Sequence, residues 1–132
     1  MKGKVKFYMF DYIEQILSEL DSSLMSGSSV TPAAAHLFKV NDGAVKLSWR
    51  KADAFHRNVA RLLFLSKRAR PNLQTAVAFL CTRVQSPDVD DNKKLGRVMR
   101  HLRETMFLPL VLGWDEIGNT YWRVDASFCG AQ

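Results

Sequence analysis

The sequence predicts a mostly helical α+β chain, and three observations carry that expectation. Apolar residues recur at helical spacing in four stretches: Ile13-Ile16-Leu17-Leu20, Phe55-Val59-Leu62-Leu63, Leu73-Val77-Leu80-Val84 and Leu95-Met99-Leu102. Strand-like patterns are confined to the ends, over Gly3 to Met9 and over Leu108 to Leu112 with Thr120 to Phe128. Breakers separate the stretches, at the Ser-rich run from Asp21 to Ser29, at Asn41-Asp42-Gly43, at Pro71 and at Ser86-Pro87. With 132 residues, 47% of them apolar and 24% charged, the chain suits a globular core.

In chain order, Val5, Phe7 and Met9 alternate with polar residues and read as a short strand. Asp11, with Glu14 three positions on, reads as a helix cap and its return contact. Thr31-Pro32 opens a short helical turn over Ala33 to Phe38, since proline fits the first helical position. The long helix begins between Ser48 and Asp53 and stops before Pro71, because the residue preceding a proline avoids the helical region. Pro71 opens the next helix, which Ser86-Pro87-Asp88 ends. Asp88, Asp90 and Asp91 favour a new helix start, where negative charge meets the exposed N–H groups. That last helix turns Leu95, Met99 and Leu102 inward and Lys93, Arg97 and Arg100 outward. A terminal hairpin comes next, with its turn over Gly113 to Asn119.

Charge narrows the function classes. The net charge is +6, from 19 basic and 13 acidic residues, and favours an anionic partner, nucleic acid before membrane. No acidic residue interrupts the sequence between Ala54 and Pro87, which holds Arg57, Arg61, Lys67, Arg68, Arg70 and Arg83. Lys93, Lys94, Arg97, Arg100 and Arg103 form a second basic group. Such side chains bind phosphates without regard to sequence and in a salt-sensitive way. The competing reading is that they are solvated outer faces.

No apolar run approaches the roughly 18 residues of a membrane span. The basic start Met1 to Lys6 is no secretory signal, because Asp11 and Glu14 arrive too soon for an apolar segment to form behind it. Cys81 and Cys129 have no metal or redox spacing, so free thiols in an intracellular protein are expected. His36, His56 and His101 have no Cys or carboxylate at ligand spacing. Trp49, Trp114 and Trp122 are able to stack on bases, although packing is the commoner use. No phosphate-binding loop or dinucleotide fingerprint is present.

The stretch Leu62-Leu63-Phe64-Leu65, then Arg70-Pro71-Asn72-Leu73, then a second apolar helix, resembles the reverse transcriptase of copia-type retrotransposons just after its palm. Gly3-Lys4-Val5-Lys6 with Tyr12-Ile13, Thr31-Pro32, and Leu102-Arg103-Glu104-Thr105 are similar to further elements of that family in the same order. Val124-Asp125-Ala126-Ser127 resembles the first strand of the attached RNase H domain. The pattern departs at Asn72, where the family has Asp, and at Glu104, where it has Gly.

The resemblance implies a fragment of a Pol polyprotein. Residues 1–107 would be palm end, thumb and connection, and residues 108–132 a truncated start of RNase H. Asp125 would be the first of four metal-binding carboxylates, vestigial without the other three. The polymerase Tyr-x-Asp-Asp is absent, so enzymatic activity is left open: the fragment alone would bind no cofactor, with Mg²⁺ belonging to the parent enzyme. Its expected partners are an RNA–DNA hybrid or DNA duplex, gripped by Arg57, Arg61, Lys67, Arg68, Arg70, Lys93, Arg97 and Arg100. The remaining Pol domains are further expected partners, with self-association through apolar faces that those domains would cover, and no membrane. The expected location is cytoplasm, retroelement particle or nucleus. The alternative is a stand-alone helical protein-interaction module or a decayed retroelement remnant.

Overall fold

A computed structural model of the chain describes residues 3–114. The described elements are β1 (Gly3–Phe7), α1 (Phe10–Ser18), α2 (Trp49–Arg68), α3 (Gln74–Cys81), α4 (Val89–Glu104) and β2 (Leu110–Trp114), with 3-10 turns at Ser22–Leu24 and Pro71–Leu73. The chain is therefore α+β and mostly α, with the four expected helices.

Helical spacing builds the core. Phe55, Val59, Leu62 and Leu65 bury one face of α2 against Ala76, Val77 and Leu80 of α3, around the Pro71 corner. Ile13 and Ile16 of α1, with Leu95, Val98, Met99 and Leu102 of α4, complete the cluster. Leu65 takes the buried place expected of Leu63, which is only half-buried. Burying each such side chain contributes roughly 1.5–3 kcal/mol. Ile16 is 1% exposed, so Ile16→Val is expected to cost about 1 kcal/mol. A lower urea midpoint at unchanged slope would register that loss.

The first and last described strands pair. β1 and β2 run antiparallel with Gly3 opposite Trp114, Val5 opposite Leu112 and Phe7 opposite Leu110. The Trp114 ring lies so close over Gly3 that a Cβ there would come within 1.9 Å of it, so any other residue would push that half-exposed ring aside. Val5, Phe7, Val111, Leu112 and Trp114 stay exposed, so the ribbon contributes no face to the core.

Several boundaries differ from the sequence expectation. Met9, not Asp11, occupies the cap of α1, and no side chain caps it. Phe10 packs on Tyr8 and Phe107, with ring centroids 4.8 and 5.1 Å apart, and this draws it into the first turn. Asp11 serves that turn by its charge. Ala33 to Phe38 is not a helix but successive turns, closed by Leu37 N–H to the Ala34 carbonyl and Lys39 N–H to the His36 carbonyl. So short a stretch gains too few bonds to offset helix nucleation. Pro71 opens a 3-10 turn before α3, and α3 stops at Cys81, short of Val84. There the Thr82 hydroxyl donates to the Phe79 carbonyl at 2.6 Å, and i to i+3 bonds tighten the exit. Gly113, expected in a turn, lies within β2. Trp114 of that turn lies in β2 as well, while its residues 115–119, the strand Thr120 to Phe128, and Asp125 lie outside the described residues.

Candidate nucleic-acid interface

α4 positions the densest group of cations, and its start is firmly set. The Asp88 carboxylate accepts the Asp91 N–H at 2.8 Å, while the Asp91 carboxylate accepts the Asp88 N–H at 3.0 Å. This reciprocal cap satisfies two helix-start donors that would otherwise be orphaned. Arg83 closes the cluster from the preceding turn, its Nε 3.0–3.1 Å from both Asp91 oxygens and its Nη2 3.3 Å from Asp88. The hydrogen bond to Asp91 is the main reason the Arg83 pKa is raised. Burial alone would raise the Asp88 carboxyl, but the Asp91 N–H and the Arg83 charge outweigh it and hold it below its ordinary value.

From that start, helical repeat lines Lys93, Arg97 and Arg100 along one side of α4. They face the turns at 32–41 across a groove of about 940 Å³. Lys39, Lys93, Lys94, Arg97 and Arg100 line it, against one acid, Asp90. Pro32, Ala33, Ala34, Leu37 and Val40 supply an apolar wall. Lys94 is only 9% exposed. Its Nζ donates to the Lys39 carbonyl at 2.6 Å and sits 4.7 Å from the centre of the Phe79 ring.

The arginines of α4 also hold the fold. Arg97 donates to the Thr31 carbonyl and hydroxyl at 3.2 and 3.0 Å, and Arg100 to the Leu24 carbonyl and the Ser29 hydroxyl at 3.0 and 3.3 Å. Arg103 reaches the Met25 and Gly27 carbonyls. Arg100 and Arg103 therefore pin the Ser-rich loop to the helix, and Arg97 holds Thr31 just beyond it. Gly96 lets the loop come close, since a Cβ there would meet Leu24 at 3.3 Å and Arg100 at 3.1 Å. A guanidinium has five N–H donors, so Arg97 and Arg100 keep some for an external acceptor.

The cations of α2 stand apart, and none lines this groove. Arg57 is exposed with Asp53 at 3.8 Å, an arrangement worth little. Arg61 ties α2 to α1 through Glu19 at 2.6 Å, and that bond is the main cause of the lowered Glu19 pKa. Lys67 is exposed, and Arg68 stacks 3.6 Å above the Phe64 ring. Arg70 departs most from expectation. It is 1% exposed, and it donates from Nη1 to the Thr105 carbonyl at 2.9 Å and from Nη2 to the Thr105 hydroxyl at 2.5 Å. Its Nε reaches Asn72 Oδ1 at 3.2 Å, and burial lowers its pKa. Arg70 is an internal strut between the Pro71 corner and the end of α4, not a surface cation.

The buried His101 completes this region, Nδ1 3.4 Å from the Ser29 carbonyl and Nε2 3.3 Å from the Asn72 amide. Trp49 is 76% exposed, and Trp114 covers Gly3. Among the described residues, no group of three or more His, Cys, Asp or Glu could hold a metal ion, and no helix is long and apolar enough to cross a membrane. Sequence reasoning missed Lys39 as a lining residue, because only the turns at 34–39 bring it opposite α4.

Comparison with protein-family models, with curated proteins and with solved structures finds no match to this chain.

Proposed function

We propose that this chain is a non-catalytic grip for nucleic acid, the stretch that lies after the palm in a copia-type reverse transcriptase. The observation carrying this reading is the groove beside α4, with five cations to one acid. A helix face rich in Lys and Arg neutralises phosphates and releases their counter-ions. In a parent polymerase such contacts would hold the primer–template and raise the rate by orientation, with no reacting group of their own. Arg57, Lys67 and Arg68 supply a second, separate set of outward cations.

Fluorescence anisotropy with a labelled RNA–DNA hybrid tests the reading. The logarithm of affinity is expected to fall with the logarithm of salt concentration, by about 0.9 per phosphate contact. The double variant Lys93→Glu, Arg97→Glu is expected to weaken binding by about tenfold or more. A salt-independent affinity would sink the proposal.

One observation favours a second reading, a protein-interaction module. Phe7, Tyr8, Phe107, Leu108, Leu112 and Trp114 expose apolar surface on and beside the ribbon. In the polymerase reading this surface meets the remaining Pol domains, and without them it drives self-association. Self-association with no hybrid binding would decide for the interaction module.

A further inference from the structure

We propose that the groove between α4 and the 32–41 turns takes a single unpaired strand of nucleic acid. Phosphates of that strand lie on Lys39, Lys93, Lys94 and Arg97, and its bases lie against the apolar wall. The inference rests on the nucleic-acid reading of the chain and names which part of the partner enters this site.

Three features separate a strand from a duplex. The first is shape. A cavity of about 940 Å³ matches sites that enclose small ligands, roughly 300–1,000 Å³. A duplex is a convex cylinder whose phosphates reach the rim of such a cavity and not its floor. The second is Lys94. Lys94 lines the groove, its ammonium has the Lys39 carbonyl and the Phe79 ring as partners, and among the described residues no carboxylate is paired with it. These partners leave its charge unneutralised, so an anion thin enough to enter meets an attractive field there. The third is the opposite wall. Pro32, Ala33, Leu37 and Val40 have nothing to offer a phosphate. Unpaired bases expose faces that pairing and stacking conceal, and an apolar wall offers those faces van der Waals contact.

The site therefore suits an unpaired strand running out of a hybrid. Lys93, with its side chain 80% exposed, reads phosphates at the mouth, and Lys94 reads them inside.

Three probes test this by anisotropy: a blunt RNA–DNA hybrid, the same hybrid with an unpaired extension, and a short oligothymidylate. The extended hybrid is expected to bind about tenfold tighter than the blunt one. Lys94→Met keeps the stem over Phe79 and removes the charge. It is expected to weaken the extended hybrid more than the blunt one, so that the difference between them is lost. Should Lys94→Met fail to fold, Lys93→Met serves, with the oligothymidylate salt slope expected to fall by about 0.7. Equal affinity for blunt and extended hybrids overturns the proposal. Displacement of the oligonucleotide by a nucleoside triphosphate at equal phosphate concentration also overturns it, in favour of a small-ligand pocket. Binding of the extended hybrid and the oligonucleotide without the blunt hybrid upholds the groove and removes the duplex grip. Binding of the blunt hybrid alone does the reverse.

Discussion

Arg70→Ala is expected to destabilise the protein by about 4 kcal/mol. The guanidinium is wholly enclosed and donates to both oxygens of Thr105 and to Asn72. Its loss takes one of two donors from the Thr105 carbonyl, which keeps the Leu108 N–H, and opens a cavity at the Pro71 corner. Each lost bond to a charged group costs about 1.5–3 kcal/mol, partly offset because the charge need no longer be buried. Urea denaturation reads the loss directly. Arg70→Lys should recover only part of it, since an ammonium cannot reproduce the forked contact with Thr105. A stable Arg70→Ala protein with weakened hybrid binding would instead return Arg70 to the phosphate contacts.

Asp91→Ala is the second large effect, about 3–4 kcal/mol. It removes one half of the α4 cap and leaves Arg83 facing only Asp88. The same cluster sets an acid limit on stability. The Asp88 carboxyl is held below its ordinary value of 3.8, because the Asp91 N–H and Arg83 outweigh the effect of burial. A group with a depressed folded pKa contributes stability that is fully present above its unfolded value and lost as pH falls through the folded one. The urea midpoint should thus lose this contribution progressively below about pH 4. Asp88→Asn should be less stable at neutral pH and flatter in acid. A parallel pH profile for that variant would remove Asp88 as the source.

Local chemistry explains which features were legible in the sequence. Trp49 to Arg68 was visible because four apolar residues repeat at helical spacing and Pro71 forbids continuation. The start of α4 was visible as a cluster of acids, yet its reciprocal bonds and the Arg83 partner were not, because they depend on a tight turn between Thr82 and Gln85. Arg70 looked like one more cation in a basic run. Its burial depends on Thr105, 35 residues away, and no local pattern signals that. The groove was half legible. Lys93, Arg97 and Arg100 follow from helical spacing, while Lys39 and the apolar wall come from turns of which only Ala33 to Phe38 read as a short helical turn. The pairing of β1 with β2 had no local signal, since a short alternating strand and a short apolar run more than 100 residues apart do not name each other as partners.

That pairing governs how the protein would bear mechanical load. Gly3 and Trp114 are register partners, so the polypeptide enters and leaves the helical body at one place. Tension applied through these two neighbouring points would peel the ribbon open one residue pair at a time. It would not shear all the pairs together. The ribbon would yield at low force and lengthen before any pull reached the helices, so the grooved body behind it could stay folded while its surroundings move.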